Sequence, residues 1–269
     1  MKKLKFRHQL TVLMACIGLL PLNGFFCNTV HGQTDPNKKV KVALIYTVTT
    51  PELKEDMERE VKEQLGANVE VLRYEVPSVF EDIKKADYVT AIPAATLIGT
   101  YMKAIESGAD AILSICSTVE DIAYSMQDAA KYLGVPIIMI NEEMCREAVR
   151  KGTKIAVMAT FPTAIAPTKR TLTRVSREMG KQIEITEVLL DGAFGLDQKK
   201  FKALMAAKAG EIAGKVDVII FAQGSMAYCE GDIANMYQKI VLSNPRFGAK
   251  ALKSALIKKG VIFPSLTGN

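Results

Sequence analysis

From residue 40 onward the chain alternates short runs of consecutive apolar residues with longer stretches in which apolar positions recur every three or four residues. The first pattern predicts strands buried on both faces, and the second predicts amphipathic helices. Strands are expected over 40–46, 69–74, 111–115, 135–140, 154–159, 183–189 and 218–222. Helices are expected over 51–66, 91–107, 119–133, 142–151, 164–179, 199–215, 232–242 and 249–259. Thr50 and Pro51 read as the cap and first position of the first helix, and Gly66 as its end. Regular βα alternation predicts an α/β fold with parallel sheets covered on both faces.

Parts of this pattern occur twice. Ala109-Asp-Ala-Ile-Leu-Ser-Ile-Cys116-Ser117-Thr118 returns as Val216-Asp-Val-Ile-Ile-Phe-Ala-Gln223-Gly224-Ser225, and Lys41-Val-Ala-Leu-Ile-Tyr46-Thr47 returns as Lys154-Ile-Ala-Val-Met-Ala159-Thr160. The offsets, 107 and 113 residues, agree closely enough for two halves of slightly different length. Ligands of parallel α/β sheets bind beyond the carboxyl ends of the strands. Thr47, Cys116, Thr160 and Gln223 all fall at such ends and are expected to face one cleft between the halves.

The first 32 residues read as a secretory signal: Lys2, Lys3, Lys5 and Arg7 precede an apolar stretch from Leu10 to Leu20, and Val30-His-Gly32 supplies small residues for cleavage. Residues 33–38 are then a polar leader, and the mature chain is expected to be exported, most simply to the periplasm. Loss of the signal changes the available chemistry. Both histidines, His8 and His31, lie within it, so histidine-based triads and histidine-ligated zinc are excluded from the mature chain and no metal site is expected. The net charge of +6 becomes +2, because four basic residues and no acidic ones leave. No basic stripe with interleaved aromatics remains, so neither a nucleic-acid partner nor a membrane is expected.

Cys116, Cys145 and Cys229 are the cysteines left, an odd number. Cys116 ends a strand and precedes a predicted helix, whose dipole would lower a thiol pKa, so it reads as a thiolate; the bland alternative is a buried structural cysteine. Cys145 and Cys229 read as packing residues. Thr118, Thr160, Thr163 and Ser225 place hydroxyls beside backbone N–H groups at helix starts, which suits a carboxylate, although Ser and Thr also cap helices with no ligand involved. Asp110 and Asp217 precede buried strands and read as capping or terminating the preceding helix region.

Cys116-Ser-Thr118, Asn141-Glu-Glu-Met-Cys-Arg-Glu-Ala-Val149, Ile155-Ala-Val-Met-Ala-Thr160-Phe-Pro-Thr163, Gly192-Ala-Phe194 and Ala222-Gln-Gly-Ser-Met-Ala227 together resemble the aspartate/glutamate/hydantoin racemase superfamily, from about Val40 to Phe263. The resemblance implies two pseudo-symmetric three-layer α/β domains, 39–141 with about 231–264 and 142–230, with the site in the cleft between them. It implies no cofactor, a small carboxylate substrate, often a homodimer, and two cysteines on opposite faces of the substrate's reacting carbon. Cys116 would be the first cysteine; Thr118, Thr160 and Thr163 would hold the carboxylate, with Thr47, Ser117, Gly224 and Ser225 beside them. Gln223 stands where the second cysteine belongs. An amide can neither remove nor deliver a proton at carbon, but it can donate a hydrogen bond to an enediolate oxygen.

The expected function is therefore isomerase-type chemistry at a carbon next to a carboxylate, through Cys116 with Gln223. A one-thiol decarboxylase and a maleate isomerase-like enzyme are the catalytic alternatives. Tyr46, Tyr228 or Cys229 would have to supply any second acid. An exported carboxylate-binding protein without catalysis is the competing class.

Overall fold

The computed structural model describes residues 39–263, in which the apolar runs form two four-stranded parallel sheets. One contains β1 (Val40–Tyr46), β2 (Val69–Glu75), β3 (Ala111–Ile115) and β4 (Ile137–Met139), ordered β2-β1-β3-β4. The other contains β5 (Lys154–Ala159), β6 (Glu184–Leu189), β7 (Val218–Phe221) and β8 (Ile240–Ser243), ordered β6-β5-β7-β8. Advancing each strand by four positions converts one order into the other, as duplication requires. The signal read at residues 1–32 and the leader at 33–38 lie outside the described residues. No helix among the described residues is long and apolar enough to cross a membrane.

The helices are α1 (Pro51–Leu65), α2 (Pro77–Ala86), α3 (Ala91–Glu106), α4 (Glu120–Ser125), α5 (Gln127–Leu133), α6 (Glu142–Lys151), α7 (Pro162–Glu178), α8 (Gln198–Ala213), α9 (Glu230–Tyr237) and α10 (Asn244–Lys259). Side chains alternate across each strand, so every sheet has two buried faces. On the first sheet, Ala43 and Ile45 pack with Ile83 of α2 and Leu97 of α3, while Val42 and Leu44 pack with Met57 of α1 and Leu252 of α10. On the second, Ile155 and Val157 meet Met144 of α6 and Leu172 of α7, and Ala156 and Met158 meet Met205 of α8 and Ile233 of α9. Each half is a three-layer α/β unit.

The repeated aspartates lie at the strand starts, away from the carboxyl ends. Asp110 accepts the Lys41 N–H at 2.9 Å, and Asp217 accepts those of Thr153 and Lys154, both at 2.9 Å. Each carboxylate satisfies backbone donors at the start of the neighbouring central strand, not the end of the preceding helix as the sequence suggested. Gly152 is needed for this, since a Cβ there would stand 2.4 Å from that of Asp217.

Three segments differ from the sequence expectation. Residues 232–242 are not one helix: Gln238 takes a left-handed conformation (φ 50°) that stops α9, and Ile240–Ser243 pairs with β7 as β8. The chain therefore returns to the first half at Asn244 with α10, not at about 231. α2 was not expected at all, and the helix expected over 119–133 is broken at Met126 into α4 and α5 after a 3-10 turn at Ser117–Val119.

Candidate active site

The carboxyl ends of β3 and β7 each run into a 3-10 turn, Ser117–Val119 and Gly224–Cys229. The two turns approach each other: the Ser117 hydroxyl donates a short hydrogen bond to the Ala222 carbonyl. Between them lies a cavity of about 470 Å3 counted out to its open mouth, room for a small molecule. Cys116, Ser117, Thr118, Gln223, Gly224 and Ser225 line it, with Leu53, Phe80, Phe161, Phe194 and Asn244 among the others. Of the four strand ends expected to face one cleft, Cys116 and Gln223 line this cavity and Thr47 and Thr160 do not.

Cys116 is half-buried and is the one titratable side chain among the described residues lining the cavity. Burial pushes its thiol above the ordinary value of 9.0 and outweighs the Thr47 hydroxyl, the Thr118 and Val119 N–H groups and the Thr118 hydroxyl, which pull it down. That direction runs against the resting thiolate expected from sequence. The turn after Cys116 is 3-10 before α4 begins at Glu120, and the apolar surroundings penalise the charge. Thr47 is 2 % exposed; its hydroxyl makes no hydrogen bond in good geometry with a described residue, yet lies near enough to the thiol to favour its anion.

Gln223 is held by the matching strand end of the second half. Its Oε1 accepts the Thr160 N–H at 2.6 Å and hydroxyl at 3.0 Å, and its Nε2 lies 2.9 Å from the same hydroxyl. Thr160 is thus a buried support for Gln223 and is not among the cavity-lining residues. Thr163 lies within the first turn of α7, with no capping bond at that helix start; its hydroxyl is 3.4 Å from that of Thr118, but Thr163 is not among the cavity-lining residues. The candidate substitutes for a second cysteine lie elsewhere. Tyr46 packs in the core beneath α1 and α10, Cys229 is sealed against α8 and α9, and Tyr228 stacks with Phe201. Burial raises the pKa of all three, that of Cys229 to about 11. Cys145 is fully buried in the core, as expected of a packing residue.

Two parts of the site were not legible in the motifs. Phe80 of α2 packs edge-on to Phe161, and Phe161 against Phe194, both with ring centroids 4.9 Å apart, forming an aromatic wall. Behind the cavity runs a buried polar chain. Asn141 does not cap α6; its Nδ2 donates to Glu120 Oε2 at 3.1 Å and Thr168 Oγ1 at 3.2 Å, and its Oδ1 accepts from Asn244 Nδ2 at 2.6 Å. Burial raises the Glu120 carboxyl to about 8, with Asn141 opposing and Glu142 and Asp121 adding. Asn141 and Asn244 stand where the chain crosses between the halves, so both crossings are tied at one point. Among the described residues no group of three or more His, Cys, Asp and Glu side chains is placed to hold a metal.

Fold and site together define a duplicated α/β protein whose chemistry sits at the junction of two equivalent sheet ends, with a thiol on one side. The chain belongs to the Asp/Glu/Hydantoin racemase family, which it matches over residues 42–252. Comparison with curated proteins gives no match. Among solved structures, allantoin racemase from Klebsiella pneumoniae is similar over 86 % of this chain and 97 % of its own, with a TM-score of 0.61 and 17 % identity. Glutamate racemase isoform RacE1 from Bacillus anthracis is similar over 86 % of each chain, with a TM-score of 0.64 and 13 % identity. Arylmalonate decarboxylase is similar over 79 % of this chain and 92 % of its own, with a TM-score of 0.51 and 11 % identity. These likenesses establish the fold.

Proposed function

We propose that the protein is a cofactor-independent enzyme in which Cys116 delivers a proton to one face of the carbon next to a carboxylate in a small acid. The observation that carries this reading is the single titratable group in the cavity, with an amide at the equivalent position of the other half. Racemisation needs one group to remove a proton and another to deliver one on the opposite face. Gln223 can do neither, whereas a thiol kept protonated by burial starts as the acid. Addition of Cys116 to an unsaturated diacid is disfavoured, because that step requires a resting thiolate.

The carbanion is supplied most simply by loss of CO2 from a malonate-type diacid. The electrons of the breaking C–C bond pass into an enediolate, the carbon takes the Cys116 proton, and the thiolate left behind regains a proton from solvent. Thr47 and the Thr118 and Val119 N–H groups, which already favour the anion, stabilise that thiolate. Gln223 Nε2 turns from the Thr160 hydroxyl to the enediolate oxygen, a preorganised amide donor where charge develops. Thr118, Ser117, Gly224 and Ser225 border the position of the retained carboxylate. Membership of a racemase family supports chemistry at such a carbon, and a protein named arylmalonate decarboxylase shares the fold.

Proton NMR in deuterated buffer tests this reading with a panel of malonate-type diacids, amino acids, hydroxy acids and unsaturated diacids. Product carrying deuterium at the carbon next to the carboxylate is expected from one class, falling at least ~100-fold in Cys116→Ser, as for loss of a general acid. Tight binding of one acid with no exchange or product, unchanged in Cys116→Ser, would replace the enzyme reading with a carboxylate-binding protein.

A further inference from the structure

The turn after β3 and helix α4, both of the first half, run along α7 of the second. Four contacts make this seam. The Thr118 and Thr163 hydroxyls are 3.4 Å apart, Glu120 is joined to Thr168 through Asn141, Asp121 pairs with Arg170, and Arg174 stacks under the Tyr124 ring, 4.6 Å from its centre. Thr118 also lines the cavity, so the seam begins at the site. Glu120 is the buried acid within it, and its Oε1 has no hydrogen-bond partner among the described residues.

The groups facing Glu120 give its ionised form little support. Asp121 on its own helix and Glu142 on α6 are acids, and Cys145 on α6 is a thiol that burial keeps neutral. Arg174 on α7 is a cation that acts on it, but this guanidinium already pairs with Glu142 and Glu178. Asn141 reaches one carboxyl oxygen, at 3.1 Å. Burial raises the carboxyl to about 8, so a charge forms there only in mildly alkaline solution. The same carboxyl connects to both turns of the site. Asn141 is bonded to Asn244 at 2.6 Å, Asn244 lies 3.3 Å from the Ala222 carbonyl, and that carbonyl also takes the Ser117 hydroxyl.

We propose that Glu120 is a pH-sensitive clasp on the acid site: neutral, it lets the seam close beside a bound carboxylate, and ionised, it loosens the seam and repels the ligand. This rests on the acid-binding reading of the cavity and adds its regulation. The coupling is reciprocal, so a bound acid also makes Glu120 harder to ionise, and binding near its titration takes up protons.

Calorimetric titration of malonate into Cys116→Ser tests the clasp, because position 116 then contributes no titration and malonate stays doubly ionised in neutral and alkaline buffer. Affinity is expected to fall about 5- to 10-fold between pH 7 and 9, with proton uptake midway, read from heats in two buffers of unlike ionisation heat. In Cys116→Ser with Glu120→Gln the affinity should be level across that range and the uptake absent, with thermal melting showing that the fold persists. If Glu120→Gln does not fold, carbon NMR of the glutamate carboxyls in the single variant decides: the one titrating far above the others should move higher when malonate is added. A level or rising affinity in the single variant, an equal fall in the double variant, or a carboxyl that malonate does not move would overturn the clasp while leaving the acid site standing. No binding of malonate at any pH would overturn both.

Discussion

Cys116 owes its state to its immediate surroundings. Four nearby groups favour its anion, yet desolvation outweighs them and the thiol rests protonated. Iodoacetamide labelling, followed against pH and referenced to Cys116→Ser, should therefore show a midpoint above the ordinary thiol value and slow labelling at pH 7.5. A midpoint below 7 would restore the thiolate expected from sequence and remove the case for a resting acid. The position of this thiol was legible because strand ends in parallel sheets are where ligands bind, and Cys116 and Gln223 mark equivalent ends. Its ionisation was not legible, since that depends on the length of the following turn and the apolar wall around it. Asn244 was equally hidden: an Asn before Pro245 reads as a helix start, and only the meeting of two chain crossings shows its amide bonded to Asn141.

At the scale of elements, long apolar runs were readable and short or interrupted ones were not. β8 has four residues and follows a helix with no glycine stop, because Gln238 takes the left-handed conformation that glycine usually takes. α2 follows directly on edge strand β2, and with it Phe80 of the aromatic wall went unread. The turn after β7 makes its own demand. A Cβ on Gly224 would stand 2.6 Å from Leu53 Cδ1 of α1 and 3.0 Å from Asn244 Oδ1, so Gly224→Ala forces these side chains to shift beside the cavity. A loss of about 1–3 kcal/mol, the usual cost of overpacking, is expected in denaturant melts, together with weaker acid binding. Unchanged stability and binding would show that α1 and the turn after β7 are not in close contact.

In the whole molecule the duplication was readable from two repeated segments, because equal strand order follows from equal sequence order. The joining of the halves was not readable, since Glu120, Asn141 and Asn244 meet from distant positions. Glu120 titrates at about 8 against an ordinary 4.5, so between those values the folded state holds a proton that the unfolded state has released. That contribution is complete below about 4.5 and is lost as pH rises toward and through 8. Glu120→Gln, which stays neutral, should flatten the fall in melting temperature between pH 5 and 9 by on the order of 5 °C. Parallel pH profiles for the two proteins would remove Glu120 from the junction's energetics.

The central claim, one proton donor acting from one face, is tested most directly by the configuration of the product. The wild-type protein should be supplied with the malonate-type diacid that turns over, in deuterated buffer, and the product resolved on a chiral phase. A single enantiomer carrying one deuterium at the new stereocentre is the predicted result. A racemic product from the enzyme, or interconversion of the two enantiomers of a simple acid, would contradict it, because a second acid or base would then have to reach the opposite face.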